Sequence, residues 1–273
     1  MRRDGNPEFI EALARGLDVL RSFRPEEPSM TLTRVATATG LARPTARRIL
    51  ITLEQLGYIR SDEAGFTLTP RVLELGMAYI GAQNLWDLAR PHLRELVRGT
   101  NESCSIAQLD GSDIVYVARV AVPKLVALAV TIGTRFPAAP TSLGKVLLAA
   151  LPADELDAVL VQPSRSGVVP RWNPDRAVLD TVLREVRAKG WALTDEQLAA
   201  GIRSVAAPIR DGDGKVVAAV NVNAHAAETS TDVLLGHHLP LLLNAASAIS
   251  ADWDAYHMRP LDIVTSAARA TPD

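Results

Sequence analysis

The 273 residues suffice for two domains of ordinary size, at roughly 100–200 residues apiece, and a composition 48% hydrophobic and 22% charged excludes a disordered or fibrous chain. The single cysteine, Cys104, excludes an internal disulfide and with it the bridge-stapled secreted modules, so a reducing, cytoplasmic setting is expected. The formal net charge of -2 conceals an asymmetry: Leu32 to Arg60 holds five arginines against one acid, a local +4 that leaves -6 elsewhere, as in a small basic reader on a mildly acidic body.

The first eight residues lack the apolar core of a signal peptide, and no apolar run nears the ~18 residues of a membrane span, so no membrane partner is expected. Phe9, Leu13, Gly16, Leu17 and Leu20 recur at helical spacing and predict a first helix over about 9–23 with one apolar face. Arg24-Pro25-Glu26-Glu27-Pro28 ends it. A short helix over 33–39, a tight turn at Gly40-Leu41 and a longer helix over about 44–56 follow. Pro44 suits the first turn of that longer helix, where its missing N–H costs nothing. Helix, glycine turn, helix is the pattern of a helix-turn-helix, and strands at 58–60 and 66–69 around the Ser61-to-Gly65 turn add a wing. Pro70 opens a connecting helix carrying Val72, Leu73, Leu75, Tyr79 and Ile80.

In the larger body, a helix over 85–98 precedes strands at 103–109, 114–120 and 125–132 and helices at 142–151, 153–160 and 176–189. Strands at 204–210 and 216–223 and a last helix over 231–256 complete it. This order predicts an α+β domain, an antiparallel sheet flanked by helices. The expected division is a winged helix-turn-helix over 9–69, a linker helix over 70–84, the body over 85–256 and a disordered tail over 257–273.

At 100° per residue, Ile49, Leu50, Leu53 and Leu56 cluster with Ala46 on a face that must be buried. Pro44, Arg48, Ile51 and Gln55 lie opposite, with Arg47 on one flank and Thr45 and Thr52 on the other. Arginines there can reach phosphates or the O6/N7 edge of guanine in the major groove, and the threonines suit phosphate oxygens. Arg34, Arg43, Thr45, Arg47, Arg48, Thr52 and Arg60 are the candidate contacts to operator DNA. An ordinary exposed helix face would also carry arginines, but the preceding helix, the wing and the missing acids weigh against it.

In the body, the turn Pro140-Thr141-Ser142-Leu143-Gly144 enters a helix whose unpaired N–H groups can bind an anion; the alternative is that Thr141 or Ser142 simply caps the helix. Asn221 and Asn223 alternate along a strand and so share a face. Arg119, Arg135 and Arg203 could pair with a carboxylate ligand, with surface ion pairs as the alternative. No metal or cofactor is expected: the five histidines are scattered or adjacent, and Asp211-Gly212-Asp213-Gly214 has Val222 where a calcium loop needs Glu. Gly-x-Ser-x-Gly is absent, and Cys104 reads as a buried, inert thiol.

Glu11–Leu20, Leu56-Gly57-Tyr58, Phe66–Gly76, Ser142–Ala149, Gly190–Gln197 and Gly201–Ile209 resemble the IclR family of bacterial transcription regulators, in the right order over residues 9–256. Leu85-Trp86-Asp87, Ser103-Cys104-Ser105 and Ile114–Val120 look most like the branch that controls the beta-ketoadipate pathway and answers to protocatechuate, 4-hydroxybenzoate or beta-ketoadipate. The resemblance implies a non-enzymatic regulator: a homodimer, often a dimer of dimers, on a pseudo-palindromic operator, touching RNA polymerase where it activates. It also implies a GAF-like domain for a small carboxylate effector, with Ser142 and Leu143 offering backbone amides and Leu125, Phe136, Asp195, Ile202, Ser204, Asn221 and Asn223 around the ligand. Ala42 and Pro44 stand where many members carry serines, as do Asn221 and Asn223, and Ser204 stands where many have cysteine. The alternatives are an IclR-type repressor answering to another organic acid, or an enzyme or signalling module whose winged helix binds protein.

Overall fold

Val19 is the residue of helix α1 (Glu11–Ser22) that is fully buried, and it joins Met30, Val35, Leu50, Leu53 and Ile59 in a small core. The computed structural model describes residues 7–24, 26–83, 85–124 and 130–257, in two compact units that divide after Gln83. Expectations for Leu125 and for the tail beyond His257 lie outside the described residues.

In the first unit, β1 (Ser29–Met30), α2 (Leu32–Thr39), α3 (Arg43–Gln55), β2 (Ile59–Asp62) and β3 (Gly65–Leu68) follow α1, then a 3-10 turn at Pro70–Val72 and α4 (Leu73–Gln83). Thr31 caps α2 by accepting from the Arg34 amide. Gly40 closes it at φ 67°, a left-handed conformation from which its N–H returns to the Ala36 and Thr37 carbonyls. The sheet runs β1-β3-β2, antiparallel throughout. One expectation is corrected: Leu56, at the C-cap of α3, is 53% exposed because the helix has ended and the wheel no longer applies. The expected apolar face of the first helix is covered only in part: Leu20 packs against the core, while Phe9, Ile10, Leu13 and Leu17 are exposed.

The second unit is built on α5 (Leu85–Thr100), β4 (Ser103–Asp110), β5 (Asp113–Val120), β6 (Arg135–Pro137), α6 (Ser142–Ala149), α7 (Ala153–Leu160) and α8 (Arg176–Lys189). β7 (Ala192–Asp195), β8 (Ile202–Arg210), β9 (Val216–His225), α9 (Thr231–Val233), a π-helical turn at Leu234–His238 and α10 (Leu239–His257) complete it. Six antiparallel strands lie in the order β6-β5-β4-β9-β8-β7. Alternation divides the residues between two layers. Cys104, Ile106, Val205, Ala207, Val220 and Val222 pack with α5 and α10, while Ala107, Tyr116, Ala206 and Ala219 pack with α6 and α8. The continuous helical run Thr231–His257, which ends in α10, meets the length and hydropathy of a membrane span, but Leu239, Leu242, Ala246, Ile249 and Trp253 of α10 pack into the core cluster on the sheet.

The strand expected at 125–132 is not seen in its described part: residues 130–132 are irregular, and the strand beside β5 is β6. Sequence pattern predicts neither β6 nor β7, but it places the Asp211–Gly214 turn between β8 and β9 correctly. There the Asp211 carboxylate accepts from the Asp213 and Lys215 amides.

Candidate DNA interface and effector cavity

α3 buries Ala46, Leu50 and Leu53 and turns Arg43, Pro44, Arg47, Arg48, Thr52 and Gln55 to solvent. Arg43, Arg47 and Arg48 make no ion pair among the described residues. The one acid of this helix, Glu54, is drawn aside by the wing, accepting from the Ser61 amide at 2.9 Å and from the Ser61 hydroxyl. The exposed side of α3 is thus cationic without compensation. Ala42 stands at its N-cap and offers no side-chain acceptor, but Pro44 has no N–H and the Thr45 and Ala46 amides donate to the Ala42 carbonyl, so of the first turn only the Arg43 amide is without an acceptor among the described residues.

The other sequence candidates differ in freedom. Arg60, on the wing, is exposed and donates through Nε to Thr67 on the neighbouring strand at 3.0 Å, leaving its terminal nitrogens outward. Arg34 is held by Glu27 at 2.7 Å, a pairing that raises the guanidinium pKa and lowers that of the carboxyl. Thr52 gives its hydroxyl proton to the Arg48 carbonyl at 2.9 Å and so has none for a phosphate oxygen. Thr45 is half-buried.

In the second unit, α6 is buried on every side, so its N-terminus opens inside the domain. Gly144 permits this: a Cβ there would lie 2.1 Å from the Ala138 carbonyl oxygen. Thr141 is the cap, its hydroxyl accepting from the Gly144 amide at 3.0 Å, which frees Ser142 for another role. Ser142 Oγ lies 2.7 Å from Ser204 Oγ, and Thr194 Oγ1 lies 2.9 Å from the same atom, forming a buried chain of three hydroxyls. The Ser142 and Leu143 amides, the first two of the helix, find no acceptor among the described residues.

These groups line a cavity together with Tyr116, Pro140, Leu198, Ile202, Asn221 and Asn223. Asn221 Oδ1 accepts from the Ser105 amide at 3.2 Å, which fixes its orientation. Burial pushes the Tyr116 hydroxyl up to about 12, so it stays neutral, and it makes no hydrogen bond among the described residues. The cavity measures about 20 Å³, near the volume that a single water needs. Its outer wall, Glu196 to Ile202, carries Glu196 at φ 52° and Gly201 at φ 73°.

Ser142, Leu143, Ile202, Ser204, Asn221 and Asn223 therefore converge as the sequence suggested, whereas two candidates do not. Phe136 is one layer back, edge-on to Tyr116 with ring centroids 5.9 Å apart. Asp195 points outward and pairs with Arg203 at 2.7 Å. Its neighbour Thr194 takes the inward position, because adjacent residues of a strand face opposite sides. Thr194 and Tyr116 were missed; alternation through β5 could have found Tyr116, whereas the four-residue β7 carries no period from which to find Thr194. Of the three candidate carboxylate partners, Arg135 is taken by Asp110 and Asp113 and Arg203 by Asp195, while Arg119 meets no carboxylate among the described residues. Cys104 is buried on the opposite face of the sheet, and burial pushes its thiol pKa far up.

Comparison with known proteins bears on both sites. Residues 12–63 match the IclR helix-turn-helix domain, and residues 77–251 match the C-terminal region of the bacterial transcriptional regulator IclR. The chain is 37% identical over 243 residues to the Pca regulon regulatory protein of Pseudomonas putida, covering 89% of this chain and 84% of that protein. It is 32% identical to the p-hydroxybenzoate hydroxylase transcriptional activator of Acinetobacter baylyi, covering 89% and 91%. A solved IclR homologue from Microbacterium hydrocarbonoxydans, complexed with 4-hydroxybenzoate, shares the fold at a TM-score of 0.76 and 24% identity, covering 89% of this chain and 99% of the other. With both domains matched in order, this chain belongs to the IclR family of bacterial transcriptional regulators.

Proposed function

We propose that this protein is a cytoplasmic, ligand-responsive regulator that docks α3 in the major groove of operator DNA and holds a small aromatic carboxylate in the cavity at the α6 N-terminus. The uncompensated cationic face of α3 carries the first half of this reading. Arg43, Arg47 and Arg48 contact phosphates or bases, Arg60 meets a phosphate from the wing, and Arg34 joins only if Glu27 releases it. The reading keeps a DNA-binding domain over 9–69, a linker over 70–84 and an effector domain over 85–256; the division into units after Gln83 supports a boundary there and leaves the linker helix with the first unit.

For the effector, the Ser142 and Leu143 amides receive the carboxylate, the hydroxyl chain and the two asparagines complete its polar shell, and Leu143, Leu198 and Ile202 cover the ring. No metal or catalytic group is assigned to the cavity. A flat aromatic acid needs far more room than about 20 Å³, since even benzene occupies a cavity of roughly 150 Å³. Binding thus displaces the Glu196–Ile202 wall, and that displacement is the signal. The relatives named for the Pca regulon and for p-hydroxybenzoate hydroxylase support aromatic acids as the ligand class.

Exposed apolar residues on the first helix and on α4, among them Leu13, Leu17, Leu73, Leu75 and Met77, form the surface through which a second copy pairs. The direct test is anisotropy of the full-length protein on a duplex selected from a random pool, with and without saturating 4-hydroxybenzoate. Operator affinity should shift by about 5–150-fold, a coupling of ~1–3 kcal/mol. Equal affinities with the acid bound would exclude the reading.

A further inference from the structure

Strand register lays polar side chains in rows across the α6 side of the sheet. Thr194 on β7 pairs with Ser204 on β8, Ser204 with Asn223 on β9, and Asn223 with Ser103 on β4. The next row runs from Asn221 on β9 to Ser105 on β4 and ends at Arg119 on β5. Paired residues share a face, so the rows form a polar strip beneath an otherwise apolar layer. Thr194, Ser204, Asn223 and Asn221 line the cavity, Ser105 accepts from Arg119, and Ser103 accepts from the Val122 amide outside the strip. Arg119 is half-buried, its Nη1 donates to Ser105 Oγ at 2.9 Å, and it has no carboxylate partner among the described residues. A desolvated guanidinium with one neutral acceptor is costly unless something anionic joins it.

We propose that Arg119 is a binding residue for the effector, taking an acidic oxygen at the end remote from the α6 amides, so that the ligand carries acidic groups at both ends. The inference rests on the reading of the cavity as the effector site. Strands stand ~4.8 Å apart, so Ser204 on β8 and Ser105 on β4 are separated by two spacings, on the order of 10 Å. That span suits a ring with acidic groups in para positions, a hydrogen bond at each end. Tyr116, whose ring walls the cavity and whose hydroxyl makes no hydrogen bond among the described residues, stands three residues before Arg119 on the same strand and completes the remote end.

The experiment is calorimetry of the full-length protein with three probes: benzoate, 4-hydroxybenzoate and terephthalate. Wild type should bind both para-substituted acids at least about 10-fold more tightly than benzoate. Arg119→Gln should erase that preference, with far-UV circular dichroism and a melting temperature beside those of wild type showing that the variant is folded, and Arg119→Lys should keep part of the preference. Equal affinities for all three acids in wild type, or an undiminished preference in Arg119→Gln, would overturn the role of Arg119 while leaving the cavity reading intact. Should the glutamine variant not fold, the wild-type preference together with its reduction in Arg119→Lys decides, and no reduction overturns the proposal. If wild type binds none of the three, the cavity reading fails and this proposal with it.

Discussion

Lys145 shows how a single buried charge reports on its surroundings. It lies on α6 at 2% exposure, with Nζ 4.5 Å from the Trp172 ring centre and hydrogen-bonded to Gln197 Oε1. Desolvation, with no carboxylate partner among the described residues, lowers its pKa from the ordinary 10.5 to about 8. Between those values the unfolded chain binds more protons than the folded one, so this group makes stability rise with pH from 8 to 10.5, and the gain is absent below 8. Lys145→Met should flatten that rise relative to wild type in thermal unfolding followed across the window; parallel curves would show that the ammonium is not desolvated. At the residue level, alternation put Asn221 and Asn223 on one face, and both line the cavity. The family resemblance offered Asp195, but in the four-residue strand β7 the inward hydroxyl belongs to its neighbour Thr194, and no strand was legible there to fix the side.

Among the elements, α6 is the one on which the cavity depends. Its first turn can approach the Ala138 backbone only because residue 144 has no side chain. Gly144→Ala should therefore cost ~1–3 kcal/mol in denaturant unfolding, as overpacking does, and weaken effector binding besides. An unchanged midpoint would mean that the loop yields freely and that α6 is not held where it is described. The long amphipathic elements were legible because their periodicity extends over several turns or strand repeats, as in α3, α8 and β9. β1, β6 and β7 span two to four residues and carry no period to detect. Their places come from pairing with distant strands, which a local reading does not contain.

For the whole molecule, the first helix carries the apolar face expected from its spacing, and its own chain covers that face only at Leu20. Its spacing predicted a helix correctly, yet most of its large apolar residues meet solvent in a single chain: Leu13 is 62% exposed and Leu17 41%. Periodicity reveals that a face is apolar and is silent on whether its own chain or another copy covers it. If a second copy pairs through this face, as proposed above, wild type should sediment as a dimer, and replacing Leu13 and Leu17 with Asp should give monomers in sedimentation velocity and weaken operator binding; an unaltered mass would contradict pairing through this face.

The salt dependence of operator affinity tests the DNA-binding reading most directly. If α3 of each protomer lays its arginines against the phosphate backbone, neutralising six to ten phosphates per complex should lower affinity ~10³–10⁵-fold between 50 and 200 mM salt. The double variant Arg47→Ala/Arg48→Ala should show a visibly shallower slope, by about one for each phosphate left without its arginine. A slope identical in wild type and variant would contradict the assignment of α3 as the helix that meets DNA.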